Sequence, residues 1–343
     1  MPEQSAAPRP PFPEPKPRTA PTEEAPIVTL FGGSGFVGRY AAQRMARRGW
    51  RVKAAVRRPN DAAFVRTYGV MGQCVAVQAN VRDDASCGRA LSRATAAVYS
   101  VGVLANAGAN TFQAVQAEGP ARVARLAKDA GVERFVLVSA IGADPDSPSE
   151  YARTKAEGER AVREHYPDAV ILRPSIVFGP EDGFFNRFAG MAKIAPAVPV
   201  IGADTRFQPV YVDDVAAAVE KGCCGEAEPG VYELAGPRVA SFRELIELML
   251  RVIERKRWIV EIPRRVAMMQ GAAFETLGRI GLTPPLTRDQ VKQLGRDNVA
   301  AEGAKGLAEL GIEPTAMEAV LESYLYAYRP GGRFAALAQD APS

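Results

Sequence analysis

The chain has 343 residues, of which 47% are hydrophobic and 24% charged, with a formal net charge of +4. That balance belongs to a soluble globular protein with room for one large domain or two modest ones. The basic excess is too small and too little clustered for a nucleic-acid binder, and no window reaches the ~18 to 20 continuous apolar residues of a membrane-spanning helix.

Residues 1–25 are rich in proline with alternating charges and are expected to form a disordered or polyproline-like arm. They lack the apolar run of a signal peptide, and Glu3, Glu14, Glu23 and Glu24 do not suit a mitochondrial transit peptide. From residue 26 to about 180, short apolar runs alternate with helical stretches. This is the pattern of an α/β fold, a Rossmann-type doubly wound parallel sheet. "PIVTLFG" is the first strand and "FVGRYAAQRMARRG" its helix; "WRVKAAVR", "CVAVQAN", "AAVYSVG" and "RFVLVSA" are the next four strands. The helix before the fifth strand is "NTFQAVQAEGPARVARLAKDAG", closed by a glycine stop. After "AVILRPSIVFGP" the alternation loosens, with candidate helices at about 213–221, 241–256, 264–280, 287–310 and 314–328. Residues 181–330 are expected to form a smaller, mostly helical C-terminal lobe with a return segment to the core at about 207–220, and 331–343 a flexible tail.

The local chemistry centres on "TLFGGSGFVGRY", where Gly32, Gly33, Ser34, Gly35, Phe36, Val37 and Gly38 join a strand to a helix. Glycine there permits a tight turn and close approach of backbone N–H groups to a pyrophosphate, and the helix N-terminus stabilises the anion. At the end of the second strand an acidic residue selects NAD(H) through the ribose hydroxyls, whereas arginine meets a 2′-phosphate. Arg57 and Arg58 stand there, with Arg39 a second phosphate partner, so NADP(H) is the expected cofactor. Asn80 and Val81 are placed to flank adenine, and Pro174 completes the expected cofactor-facing set. "YARTK" follows the fifth strand and opens a helix, so Tyr151 and Lys155 share one helical face. An ammonium beside a phenol lowers the phenol pKa, which suits proton exchange with a carbonyl or alcohol, and Ser139 is positioned to bond the substrate oxygen. The same lysine can bind the nicotinamide ribose. Cys74, Cys87, Cys223 and Cys224 lack metal-ligand spacing and read as reduced thiols, and the single histidine, His165, lies at a helix end.

The glycine loop, the Ser139 strand end and the Tyr151–Lys155 pair, in that order, resemble the short-chain dehydrogenase/reductase superfamily. "ILRPSIVFGP" and "QPVYVDDVAAAV" resemble later segments of its extended and atypical branches. Within these, "TLFGGSGFVGRY", "AAVRRP", "VLVSAIGA", "YARTKAEGE" and above all "LRPSIVFGPEDGFFNRFA" resemble the nucleotide-binding accessory subunits of respiratory complex I, the NADH:ubiquinone oxidoreductase, over roughly residues 26–270. The resemblance implies tightly bound NADPH serving as a structural component, off the electron path, where the peripheral and membrane arms meet. It implies other complex I subunits near the quinone module as partners, and a peripheral place on the cytoplasmic face of a bacterial inner membrane or the matrix face of a mitochondrial one. Two departures from the superfamily pattern weigh against turnover: Val115-Gln116 replaces the usual Val-Asn, and Ala140 replaces a second serine.

In the C-terminal lobe, Arg255, Lys256, Arg257, Trp258, Arg264 and Arg265 are expected to face lipid headgroups or acidic subunit surfaces, or simply to form a solvated basic rim. The expected function is thus a non-catalytic, NADPH-binding scaffold subunit of complex I. The alternatives are a stand-alone NADPH-dependent reductase or epimerase using Tyr151 and Lys155, and, more remotely, a redox-sensing regulator.

Overall fold

The computed structural model describes residues 24–279 and 284–332, so the expectations for the arm up to residue 23 and for the tail from 333 lie outside the described residues. The first strand, β1 (Ile27–Phe31), is buried at every position, as a parallel strand covered on both faces must be. There follow α1 (Phe36–Arg47), β2 (Arg51–Val56), β3 (Cys74–Gln78), α2 (Asp84–Leu91), β4 (Ala96–Tyr99), α3 (Glu118–Asp129), β5 (Arg134–Val138), α4 (Glu150–His165) and β6 (Val170–Pro174). The second half contains β7 (Val177–Phe178), α5 (Phe185–Ile194), β8 (Ala197–Val200), β9 (Arg206–Phe207), β10 (Val210–Tyr211), α6 (Val212–Cys224) and β11 (Gly230–Leu234). It ends with β12 (Ala240–Ser241), α7 (Phe242–Val252), β13 (Trp258–Glu261), α8 (Arg264–Arg279), α9 (Arg288–Gln293) and α10 (Met317–Leu325).

Seven strands form one sheet in the order β11-β6-β5-β4-β1-β2-β3, and every neighbouring pair is parallel. The order reverses between β1 and β4, and in such sheets the crevice at the carboxyl ends of these strands is the ligand site. Alternate residues enter two cores. Val28, Leu30, Val52, Val98 and Val136 pack with the α1 residues Ala41 and Met45 and the α6 residues Val215 and Val219. Phe31, Ala97, Tyr99, Phe135 and Ile171 pack on the other side with Leu91 of α2, Val123 of α3 and Val162 of α4.

The phenylalanine-rich stretch after β7 is the heart of the third core. Phe184 packs edge-on against Phe185 and Phe188, with ring centroids 5.0 and 5.3 Å away, and tilted against Phe242 at 5.5 Å. Leu245, Ile246 and Met249 of α7 and Leu321 and Leu325 of α10 close this cluster.

One expectation needs correcting. The helix read over 287–310 is present only as Arg288–Gln293. Beyond it the backbone runs along the core in extended contacts, with Gln208 donating to the Asn298 carbonyl at 3.2 Å and Glu233 to that of Lys305 at 2.8 Å. Gly303 and Gly311, both at positive φ, turn the chain where a helix would have to continue. A seventh sheet strand, β11, was not anticipated: its "GVYEL" pairs with β6 from Gly230↔Val170 to Leu234↔Pro174. The lobe also holds short strand pairs, β8 with β13 and β9 with β12, among its helices.

Candidate functional site

At the carboxyl end of β1 the chain turns through Gly32, whose φ of +86° is open to glycine and strained for other residues. Six residues on, in the first turn of α1, Gly38 lets the helix close onto that loop: a Cβ there would lie 2.1 Å from the Gly32 carbonyl oxygen. Helix α1 starts after Gly35, and no side chain caps it. The N–H groups of its first turn therefore face the loop as a set of donors at the positive end of a helix dipole, the arrangement that binds phosphate. Ser34, Phe36 and Val37 are half-buried around it, Gly33 is buried and Gly35 exposed.

The basic residues divide into two kinds. Arg57 and Arg58 are exposed after β2; among the described residues Arg57 makes a single long bond, 3.4 Å to Asn110, and Arg58 pairs with Asp61 at 2.9 Å. Exposed pairs of this kind are weak and readily exchanged. Arg39 is more enclosed. Its guanidinium lies 5.2 Å from the centroid of the Phe64 ring, bonds the Ser34 carbonyl at 3.3 Å and pairs with Glu181 at 3.1 Å. Its Nε is buried and has no hydrogen-bond partner among the described residues. Asn80 and Val81 follow β3, and the Asn80 side chain is turned locally, accepting the Arg82 N–H at 3.1 Å. Pro174 is buried at the end of β6, its carbonyl accepting the Ile141 N–H at 3.0 Å.

Helix α4 brings Tyr151, Lys155 and Glu159 onto one face, and their surroundings differ sharply. The Lys155 ammonium is 5.8 Å from the Tyr151 ring centroid and donates to the Val138 carbonyl at 3.3 Å. Tyr151 is half-buried, edge-on to Phe112 at 5.8 Å, and its hydroxyl makes no hydrogen bond among the described residues. The expected lowering of its pKa does not occur. Burial, helped by the Asp289 carboxylate, pushes the phenol up to about 12. Lys155 moves the other way, to about 8, because burial outweighs the favourable charge of Glu159. The pair is thus set for a neutral phenol.

Ser139, at the end of β5, is buried and donates to Glu159 at 2.5 Å. Arg173 of β6 grips the same carboxylate through two bonds of 2.8 and 2.7 Å. The Ser139 proton is therefore directed to an internal ion pair. Gln116, in a π-helical turn (Gln113–Ala117) before α3, donates to the Val103 carbonyl at 2.7 Å and accepts the Thr154 hydroxyl at 3.2 Å. Glu159 was missed in the sequence, although "YARTKAEGE" repeats a polar residue every four positions and so marks the stripe.

A second unanticipated residue comes from the lobe. Asp289 accepts the Ser149 hydroxyl at 2.8 Å and the Glu150 N–H at 2.7 Å, closing the N-terminus of α4. Beside it lies a cleft of about 840 Å³ between the two parts of the chain, lined by Asn106, Phe112, Arg153, Met268 and Asp289 among others. Among the described residues no cluster of histidine, cysteine or carboxylate side chains can hold a metal ion.

Residues 28–223 match the NAD dependent epimerase/dehydratase family. The chain belongs to that family. Among the relatives of this epimerase/dehydratase chain is the mitochondrial NADH dehydrogenase [ubiquinone] 1 alpha subcomplex subunit 9 of Dictyostelium discoideum, 30% identical over 91% of this chain and 87% of that protein. The protein of the same name from Rattus norvegicus is 32% identical over 85% of this chain and 78% of its own length. The fold is shared with an NADPH-dependent quinone oxidoreductase from Escherichia coli solved with NADPH, at a TM-score of 0.65 and 19% identity, covering 87% of this chain and 98% of that one. The epimerase/dehydratase glycine loop and the α4 pair thus sit in a chain whose similarity to complex I subunits runs through both lobes.

Proposed function

We propose that this chain is a nucleotide-holding accessory subunit of respiratory complex I that contributes to assembly and stability without turnover of its own. Similarity to the complex I subunits extends across nearly the whole chain, the lobe included. The observation that carries the non-catalytic part is the Ser139–Glu159–Arg173 triad: the hydroxyl that would bond a substrate oxygen is consumed inside the protein.

The residues present fit a nicotinamide dinucleotide. The uncapped N-terminus of α1 and the close approach at Gly38 would hold the pyrophosphate, and Lys155, beside the carboxyl ends of β4 and β5, the nicotinamide ribose. Such a cofactor supplies hydride chemistry when bound; here the chain's residues hold and orient it. NADP(H) is the form we propose, because Arg39 directly follows the loop and Arg57 and Arg58 follow β2, with no carboxylate before Asp61.

Partners are other complex I subunits near the quinone module, at a membrane surface. Among the described residues no helix is long and apolar enough to cross a membrane. Trp258, Val266 and Met269 are nevertheless exposed amid exposed Lys256, Arg264 and Arg265, a composition suited to headgroups or to an acidic subunit face. Arg255 and Arg257 instead donate to the carbonyls of Tyr328 and Ala192.

The test is to solubilise membranes in detergent, isolate the quinone-reducing assembly, and ask whether it contains this chain and which nucleotide copurifies. Presence in the assembly, with NADPH that added carbonyls and quinones do not oxidise through this subunit, is the expected result. A chain recovered only as a free protein, absent from intact complex I, overturns it. The unbonded Tyr151 hydroxyl favours a reductase as the second reading. That reading requires Tyr151→Phe to abolish turnover of a carbonyl or quinone substrate, whereas complex I activity should survive the same change.

A further inference from the structure

The most particular element of the sequence, "PEDGFF", contributes more than aromatic packing. Its Asp182 fixes the turn, accepting N–H groups of Gly179, Phe184 and Asn186 at 3.2, 3.1 and 3.1 Å and the Tyr324 hydroxyl at 2.5 Å. The turn lies against the first turn of α1, since a Cβ at Gly179 would come within 3.3 Å of the Phe36 ring. Glu181, next in the turn, is thereby held beside the phosphate-binding end of that helix. One of its oxygens pairs with Arg39 at 3.1 Å and the other accepts the Tyr40 hydroxyl at 2.9 Å.

A carboxylate near the site of a polyanion opposes binding unless it is neutralised, and here it is neutralised by a cation suited to a phosphate. Arg39 is poised between the two. Its guanidinium lies on Phe64, which holds it against the segment Pro59–Tyr68 that follows Arg57 and Arg58 in the chain. Among the described residues its buried Nε has no partner, so the Glu181-bound position leaves one donor unsatisfied there.

We propose that Glu181 is a specificity-determining residue that competes with the 2′-phosphate of NADP(H) for Arg39. The inference rests on the NADP(H) reading above and deepens it. In this structure Arg39 is held by Glu181. The 2′-phosphate, which carries more charge than a carboxylate and offers three acceptor oxygens, draws Arg39 across, and Tyr40 retains Glu181. NAD(H) has no group to draw it and leaves the pair in place. Glu181 thus weakens NADP(H) binding selectively, and its turn links the nucleotide to the lobe through Asp182 and Tyr324.

The experiment measures equilibrium binding of NADPH and NADH to the full chain by nucleotide fluorescence, in the unmutated protein and in Glu181→Gln, Arg39→Met and the double variant. Gln keeps an acceptor for Tyr40, and a thermal melt checks that each variant is folded. Glu181→Gln should tighten NADPH on the order of three- to tenfold, as expected for loss of one partly exposed competing charge, and leave NADH within about twofold. In the Arg39→Met background the same change should have no selective effect. Equal tightening of both nucleotides, or weaker NADPH binding, overturns the proposal. An unmutated chain that prefers NADPH, with that preference untouched by Glu181→Gln, overturns this inference alone. An unmutated chain with no preference for NADPH overturns the NADP(H) reading and the inference with it.

Discussion

Asp289 Oδ1 accepts the backbone N–H of Glu150 at 2.7 Å, so a carboxylate from the C-terminal lobe caps the helix that carries Tyr151 and Lys155. Its other oxygen takes the Ser149 hydroxyl at 2.8 Å and the Tyr151 N–H at 3.3 Å. Asp289→Ala leaves first-turn donors of α4 without this acceptor and should lower stability by about 1–2 kcal/mol in urea unfolding. The same charge helps hold the Tyr151 phenol up at about 12, so its removal should bring the titration down. Asp289→Asn tests the two effects separately: it keeps a cap acceptor and loses the charge. Ultraviolet titration should then show the lowered tyrosine pKa with a smaller loss of stability than in Asp289→Ala.

Gly38 is the position where the glycine loop after β1 tolerates a side chain least. A Cβ would sit 2.1 Å from the Gly32 carbonyl oxygen, a backbone atom that cannot swing aside. Gly38→Ala should force α1 away from the loop, cost about 1–3 kcal/mol and abolish nucleotide binding. Calorimetric titration with NADPH on a variant shown to be folded by circular dichroism checks this. Retained affinity would mean that the loop does not hold the pyrophosphate.

The parallel sheet was legible because β1 to β6 carry dense apolar runs and the helices between them keep their period. Strand β11 was not, because "GVYEL" mixes Gly230 and Glu233 into five residues and becomes a strand only by pairing with β6. The segment after Gln293 reads as helix from composition, yet its backbone bonds lie with Gln208 and Glu233, partners distant in the chain. At the site, the spacing of Tyr151 and Lys155 was readable, but their electrostatics were not. Local spacing predicts that an ammonium lowers the phenol pKa; burial and Asp289 reverse that direction, and both arise from tertiary contacts. Glu181 was visible as part of a motif, but its bond to Arg39 joins residues 142 positions apart, as 181 less 39 gives.

The ion pair behind Ser139 should be costly to break. Glu159 is buried, its side chain only 4% exposed, and Arg173 closes over it with two short bonds. Arg173→Met fills much of the same space while leaving a buried carboxylate without its main cation, and should lose about 3 kcal/mol. Ser139→Ala removes only a donor to that carboxylate and should cost about 1 kcal/mol. Denaturant midpoints for the two variants, with unchanged slopes, give the comparison. A larger loss from Ser139→Ala would place the hydroxyl, and not the arginine, at the centre of the triad.

If Lys155 holds the nicotinamide ribose as proposed, its effects on fold stability and on nucleotide binding have opposite signs. Burial brings its folded pKa from an ordinary 10.5 to about 8. Between these values the unfolded chain binds the extra proton, so raising pH through this window favours the folded state. Below pH 8 the buried ammonium imposes its full penalty, on the order of 3 kcal/mol for a shift of this size. Above pH 10 the raised Tyr151 pKa works in the opposite sense, because the unfolded phenol ionises first. Lys155→Met should therefore stabilise the nucleotide-free chain near neutral pH by up to about 3 kcal/mol and remove the rise in stability between about pH 8 and 10. It should also weaken NADPH by about tenfold, through loss of a charged donor to the ribose. Urea unfolding across pH, paired with nucleotide titration of the same variant, tests both. Loss of affinity without the gain in stability would show that the ammonium is better solvated in the free chain than its burial implies.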